Sequence, residues 1–314
     1  MGRVLITPRS LTASPPPELG RLREAGHDLI FSTPGEMPGE AELLELVPEV
    51  DGWLAGVEPV SPAVIAAANR LSVISRNGSG VDNLPMAVLE KRGIKIARAM
   101  AANATGVAEL AVGLTVAACR HLPEVCHGVR DGGWPRPKGR EIEGAVVGVL
   151  GAGAIGRKVA GIFAEFGADV LAVDPCRPDL GRLAGRVRYV DLPELLERSD
   201  IITLHCPATA DGSPLIDAAA LARMRKGAIL VNTARAGLID EAALVAALDA
   251  GRIAAYATDV FVLEPPAAGG LAAHPKVIAT SHIGGLTDES VRRATDQAVD
   301  NLLACLGGTL DAAG

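Results

Sequence analysis

The chain is poor in aromatic residues: four Phe, two Trp and two Tyr in 314 residues, 3% in all. Its core must be built from Ala, Val, Leu and Ile, which suits helices packed on parallel strands. Cysteine is scarce as well. Cys119, Cys126, Cys176, Cys206 and Cys305 contain no CxxC pair and are odd in number, which argues against a disulfide framework and against a cysteine-rich zinc site, so no metal is expected. Reduced thiols in a cytoplasmic protein are the simple reading. There is no stretch of ~20 uninterrupted apolar residues to span a membrane. The opening MGRVLITPRS meets Pro8 after a short apolar run, unlike a signal peptide. Long basic runs are missing too, and the formal net charge of −7 argues against nucleic acid as a partner.

What is present is alternation. Hydrophobic residues make up 49% and charged residues 21%, enough for a large core, and the length suits two domains. RVLITP, HDLIFS, GWLAGV, LSVISR and GIKIAR read as strands in the first hundred residues. PPELGRLREAG, ended by Gly26, and SPAVIAAANR, with Ser61 as N-cap and Pro62 in the first turn, read as helices. A long apolar helix follows, near Thr105 to Leu122, and then the Gly-, Pro- and charge-rich loop DGGWPRPKGREIEG. Seven more strand candidates come next: AVVGVL, DVLAV, VRYV, DIITLH, AILVN, IAAYATD and KVIATS. DEAALVAALDAG is a helix between Asp240 as N-cap and Gly251 as stop, and the last helix begins in the capping region Thr287 to Ser290. Strands alternating with helices imply α/β architecture with parallel sheets.

VVGVLGAGAIG places Gly151, Gly153 and Gly156 in a GxGxxG pattern between a strand and a helix, and the next strand ends at Asp174, 18 residues beyond Gly156. That context is specific for a dinucleotide site. Gly151 permits the tight turn, Gly153 admits a pyrophosphate close to the backbone, and Gly156 lets helix and strand touch. The helix N-terminus supplies N–H groups to the phosphates. Asp174 would accept hydrogen bonds from the adenosine ribose and repel a 2′-phosphate, which favours NAD over NADP. The plain alternative is a glycine turn that binds nothing.

Three later strand ends carry polar residues suited to redox chemistry. Arg235 can grip a carboxylate with two prongs and polarise the adjacent carbonyl. His282 can exchange a proton with the resulting alkoxide. Glu264 can hydrogen-bond the imidazole, favour its charged form and set its tautomer. Plainer readings also exist: a surface ion pair for Arg235, a solvated loop acid for Glu264, a strand-end cap for Asp259 and a packed strand-end ring for His282.

GAGAIG, NTARAG, ATDVFVLEPP and SHIGG, in this order and spacing, resemble the D-isomer-specific 2-hydroxyacid dehydrogenase family, in particular its phosphoglycerate-dehydrogenase-like branch. RNGSGVDNLP and GVAELAVGL fit the same resemblance, which covers nearly the whole chain. It implies two doubly wound domains. A Rossmann nucleotide domain, residues 99–285, would be inserted into a flavodoxin-like substrate domain, residues 1–98 and 286–314, with a cleft between them closing over substrate. It implies Arg235, Glu264 and His282 as the catalytic set, and Asp259 near the nicotinamide amide. Asn77, Gly78, Ser79 and Gly80 would present backbone N–H groups to the substrate carboxylate, beside Arg235 and His282. Ala154, Ile155, Cys206, Pro207, Thr233, Ala234 and Gly284 would line the cofactor together with the glycine motif and Asp174. His205 would lie by the adenine or simply cap a strand end. The resemblance also implies a homodimer through the GVAELAVGLTVAACRHL helix and the following loop, and a short form without a regulatory extension.

The chain departs from that pattern at several places. Authentic phosphoglycerate dehydrogenases tend to carry Arg after the strand GWLAGV for the substrate phosphate; here stand Gly56 and, nearby, Glu58, an acid that would repel a phosphate. Arg76, Arg136 and Lys138 could compensate, or could be solvated charges. Ser281 replaces the usual proline before the histidine, and Gly106 a small hydroxyl residue. The resulting expectation is an NAD-dependent enzyme acting on a small 2-keto or 2-hydroxy acid of the hydroxypyruvate or glyoxylate type. D-3-phosphoglycerate dehydrogenase and an NAD-sensing binding protein without turnover are the alternatives. Formate or phosphonate oxidation is a third option; formate is disfavoured because the family's formate enzymes pair the histidine with Gln, not Glu, whereas Glu264 says little about phosphonate.

Overall fold

The computed structural model describes residues 2–307. Residues 308–314, the end of the expected substrate domain, lie outside the described residues. The chain forms two compact units, one made of residues up to Asn103 and from Thr287 onward, the other of Ala104–Leu286.

In the first unit, β1 (Arg3–Ile6), β2 (Asp28–Phe31), β3 (Gly52–Ala55), β4 (Val73–Arg76) and β5 (Lys95–Arg98) form one parallel sheet in the order β2-β1-β3-β4-β5. Val4, Leu5, Ile6, Trp53 and Leu54 have no exposed surface, because helices cover both faces of these strands. The helix Pro62–Ala67 starts as read from sequence, with the Ser61 hydroxyl accepting the Val64 N–H. The last helix, Asp288–Leu306, is capped by Thr287 and returns to the first sheet, where Ala298, Val299 and Leu302 pack on Val4, Ile6, Leu54 and Val73.

In the second unit, β6 (Val146–Leu150), β7 (Asp169–Val173), β8 (Val187–Tyr189), β9 (Ile201–Leu204), β10 (Ala228–Asn232), β11 (Ile253–Thr258) and β12 (Val277–Ala279) are again all parallel. Their order, β12-β11-β10-β9-β6-β7-β8, reverses direction between β6 and β9. Such a reversal opens a crevice at the carboxyl ends of the two strands. In the first sheet the corresponding point lies between β1 and β3. The orders are those of a Rossmann and a flavodoxin-like sheet, and every strand coincides with a segment read as one.

Two details differ from the sequence reading. The apolar helix stops at Cys119, and a second, Leu122–Arg130, follows. His121 between them is left-handed, φ 53°, and Pro123 in the new first turn has no N–H to continue the first helix. The border between units falls after Asn103 rather than after residue 98. Ala99 donates to the Arg76 and Gly78 carbonyls, and Arg293 Nε donates to the Ala102 carbonyl at 2.8 Å, so this stretch is tied to the first unit.

Candidate active site

The glycine loop occupies the reversal point of the second sheet. Gly151 follows β6 with φ 95°, and a Cβ there would stand 2.6 Å from the carbonyl oxygen of His205, the residue after β9. Gly156, in the first turn of the helix Ala154–Glu165, has no room either, since its Cβ would overlap the Gly151 carbonyl oxygen. Gly153 is different. A Cβ there would meet no protein atom within 4 Å, so packing does not require glycine at this exposed position. A bare backbone facing open space at a helix N-terminus fits a pyrophosphate that must come close. Ala154 is exposed and Ile155 half-buried beside it.

Asp174 follows β7 directly. Its Oδ2 accepts the Ala152 N–H at 2.8 Å and its Oδ1 the Cys176 N–H at 2.9 Å. The carboxylate therefore braces the glycine loop and keeps further lone pairs for ribose hydroxyls. Opposite it, Cys206 is half-buried, with a thiol pushed up chiefly by burial, and Pro207 is exposed.

His205 is bonded to the buried Thr203, Nε2 to Oγ1 at 2.9 Å, and its Nδ1 is buried without a partner. Burial pushes the imidazole down to about 3, so it folds neutral. The unfolded chain binds a proton at this residue as pH falls below about 6.5, and the folded chain does so only near 3. Its share of stability is thus intact above 6.5 and is lost toward 3, at up to ~1.4 kcal/mol per pH unit. Urea unfolding at pH 7, 6 and 5 should show a shallower decline for His205→Asn than for the unsubstituted protein. Equal slopes would place the acid sensitivity elsewhere.

The catalytic candidates follow three adjacent strands. β10 ends at the fully buried Asn232, whose Nδ2 donates to the Arg235 carbonyl at 2.8 Å and whose Oδ1 accepts the Ala234 N–H at 3.0 Å. This clamp shapes the turn through Thr233, Ala234 and Arg235. Thr233 Oγ1 is buried without a partner, while Arg235 is half-exposed and its Nη1 donates to the Ala234 carbonyl at 2.7 Å. Glu264, in the loop after β11, accepts the Phe261 N–H at Oε1, 3.1 Å, and holds His282 Nδ1 at Oε2, 2.8 Å. The His282 and Glu264 side chains are 49% and 39% exposed, so the pair faces solvent rather than the core. A carboxylate on Nδ1 keeps the proton there and leaves Nε2 for exchange with a ligand. Asp259, directly after β11, is buried, and its Oδ2 accepts the Gly284 N–H at 2.8 Å. Asn232 was not among the residues singled out from sequence; its signal was an amide closing the apolar run AILVN, where burial demands partners.

The D-isomer specific 2-hydroxyacid dehydrogenase NAD-binding-domain model matches residues 112–284, which contain the glycine loop and all three catalytic candidates. The chain belongs to this family. NAD is its cofactor, and when bound it supplies or accepts the hydride. Among relatives, the dehydrogenase is 37% identical over 272 residues to a hydroxypyruvate reductase of Thermotoga maritima, covering 85% of this chain and 88% of the relative. It is 37% identical over 274 residues to a D-3-phosphoglycerate dehydrogenase of Mycobacterium tuberculosis, covering 86% of this chain but only 52% of that longer protein. A solved Thermus thermophilus structure superposes with a TM-score of 0.88 at 33% identity, covering 98% of this chain and 97% of that one. These relatives place the dehydrogenase on the phosphoglycerate-dehydrogenase-like branch.

The first unit of the dehydrogenase carries the expected substrate loop after β4. Asn77 donates its N–H to the Ala55 carbonyl at 2.9 Å, and its Oδ1 is buried without a partner. Gly78, Ser79 and Gly80 continue the loop, all half-exposed. From sequence, Arg76 could be a phosphate ligand or a solvated charge. Instead it is buried, donating from Nε to the Gly80 carbonyl at 2.8 Å and from Nη1 to the Ala55 carbonyl at 3.0 Å, so it braces this loop. Glu58 was expected to act through its charge. It is 1% exposed, accepts the Thr7 hydroxyl and the Gly56 N–H, and its carboxyl is pushed up chiefly by burial. A Cβ at Gly56 would stand 2.6 Å from Glu58 Oε2 and 3.1 Å from Pro8 Cα, so the corner between β1 and β3 is closed by shape. Arg136 and Lys138 are exposed. Among the described residues no helix is long and apolar enough to cross a membrane.

Proposed function

We propose that this dehydrogenase interconverts a small, unphosphorylated 2-keto acid of the hydroxypyruvate or glyoxylate type and its D-2-hydroxy acid, with reduction favoured at neutral pH. The carrying observation is the corner at Gly56, where the buried Glu58 carboxyl takes the space in which a cationic side chain would have to begin. Arg76, committed to two carbonyls, supports the same reading, as does the hydroxypyruvate reductase of Thermotoga maritima.

In this reading the substrate carboxylate is held by Arg235 and by the backbone N–H groups of Asn77 to Gly80, and Arg235 also polarises the keto oxygen. His282 gives its Nε2 proton to that oxygen as charge develops, while Glu264, bonded at Nδ1, orients the ring. Gly151, Gly153, Gly156 and Asp174 hold the pyrophosphate and ribose of NAD. The other cofactor contacts expected from the resemblance stay proposals of the same kind.

D-3-phosphoglycerate oxidation is the second reading, favoured by the Mycobacterium tuberculosis relative. The test is NADH oxidation against glyoxylate, hydroxypyruvate and 3-phosphohydroxypyruvate, with NADPH in parallel. We expect kcat/KM at least ~10-fold higher for an unphosphorylated acid, and NADH preferred over NADPH. Preference for the phosphorylated acid would sink the substrate assignment, and tight NADH binding without any turnover would turn the reading toward NAD sensing. A cytoplasmic homodimer is part of the proposal. The helix Leu122–Arg130 buries none of its residues, and Leu122, Val129 and the 79%-exposed Trp134 beyond it form apolar surface suited to a second copy.

A further inference from the structure

We propose that Arg76 and Asn83 are positioning residues for the substrate. They clamp the two ends of the loop Asn77–Gly80 to the stretch that follows β3, and so aim the loop's N–H groups at the substrate carboxylate. This rests on the carboxylate-binding role proposed for that loop.

The loop has little side chain of its own with which to hold a shape, since Gly78 and Gly80 flank Ser79. Its shape is imposed from outside. At the near end, Arg76 Nη1 and the Asn77 N–H both donate to the carbonyl of Ala55, the last residue of β3, at 3.0 and 2.9 Å. The Arg76 Nε reaches forward to the Gly80 carbonyl at 2.8 Å. One rigid, planar guanidinium thus fixes the end of β3 against the far side of the loop. Beyond the loop, Asn83 Nδ2 donates to the Glu58 carbonyl at 2.5 Å and to the Gly56 carbonyl at 3.4 Å. The Asn83 carbonyl accepts the Val60 N–H at 3.0 Å. Both clamps therefore close on the same segment, residues 55–60.

The ties also decide which way the peptide groups face. In a trans peptide the C=O and the N–H point in opposite directions. The Gly78 carbonyl accepts the Ala99 N–H at 3.0 Å, which turns the Ser79 N–H the other way. Among the described residues the Ser79 and Gly80 N–H groups have no protein acceptor, so two neighbouring donors stand ready for an anion. If the Gly80 carbonyl or the Asn83 end is released, these peptides can rotate and the donors lose their common direction. Arg76 acts here through the carbonyls it holds, not through contact with substrate.

The experiment measures kcat and KM for glyoxylate, hydroxypyruvate and 3-phosphohydroxypyruvate, together with melting temperature, in Asn83→Ala, Arg76→Met and Arg76→Lys. Glyoxylate carries only a carboxylate and the reacting carbonyl, so an effect on it reports on the carboxylate loop. Asn83→Ala and Arg76→Met should each raise KM by ~10-fold or more, by a similar factor for every acid reduced, with kcat changed by less than ~3-fold. Arg76→Lys should fall between, because a single ammonium reaches one of the two carbonyls but not both. A rise confined to 3-phosphohydroxypyruvate would make Arg76 a phosphate ligand. Lost kcat with unchanged KM would make the clamp a matter of folding alone. Either result overturns the proposal, as do unchanged constants in Asn83→Ala. Asn83 is half-buried, so its alanine variant and Arg76→Lys carry the test in case Arg76→Met does not fold. No turnover of any acid by the unsubstituted protein would overturn the proposed function as well, whereas normal turnover with unaffected variants overturns this inference alone.

Discussion

Replacing His282 with asparagine is expected to lower kcat by ~10²–10⁴-fold while NADH still binds. Asparagine can keep a hydrogen bond toward Glu264 from roughly the position of Nδ1, so the loop has reason to stay in place. It has no group to match Nε2 and cannot deliver a proton at neutral pH. Because the His282 side chain is 49% exposed and buries little apolar surface, the substitution should cost little stability. Loss of turnover with an unchanged melting temperature therefore reads as lost chemistry. Glu264→Gln is expected to have a smaller effect. The amide oxygen can still accept from Nδ1, but it is a weaker acceptor than a carboxylate and orients the ring less firmly. Turnover within ~3-fold of the unsubstituted enzyme for His282→Asn would remove this residue from the mechanism.

The strands were readable because each is short, apolar and bounded by turn residues, and parallel strands buried on both faces leave that pattern. Helix starts were equally plain where a polar side chain caps its own helix, as Ser61, Asp240 and Thr287 do. The glycine loop was legible because the spacing of Gly151, Gly153 and Gly156 reports a backbone path, and the Glu264–His282 pair because the family resemblance joined two segments 18 residues apart. What escaped depends on partners distant in sequence. Arg76 reads as a phosphate ligand or a solvated charge, yet it is buried and its Nη1 donates to Ala55, 21 residues earlier. Glu58 reads as an acid that repels a phosphate, yet it is buried and bonded to Thr7, 51 residues away. The stretch from Ala99 to Asn103 reads as the start of the second unit, but Arg293 ties it to the first from 191 residues away. The break at His121 has a different origin: a left-handed histidine has no composition signal of the kind glycine provides.

Two alanines in one motif should separate folding from cofactor binding. Gly156→Ala puts a methyl onto the Gly151 carbonyl oxygen. That carbonyl has little room to retreat, because Gly151 sits at φ 95° in a turn so tight that even a Cβ there would stand 2.6 Å from the His205 carbonyl oxygen. Nor can the helix Ala154–Glu165 lift freely, since Val159, Ala160 and Phe163 are buried against the sheet. Overpacking against backbone costs about 3 kcal/mol or more, so the melting temperature should fall by roughly 6–12 °C. Gly153→Ala meets no protein atom within 4 Å, and its φ of −71° suits alanine. Its cost to folding should be no more than about 1 kcal/mol, the difference between glycine and alanine as an N-cap. Its methyl nevertheless projects into the space where the pyrophosphate must approach, and NADH affinity should fall by at least ~10-fold. Calorimetry and NADH titration of both variants check the pair. An unchanged NADH affinity in Gly153→Ala would mean that the open face of the loop is not where the pyrophosphate sits. A stable Gly156→Ala would mean that helix and strand separate more easily than their packing implies.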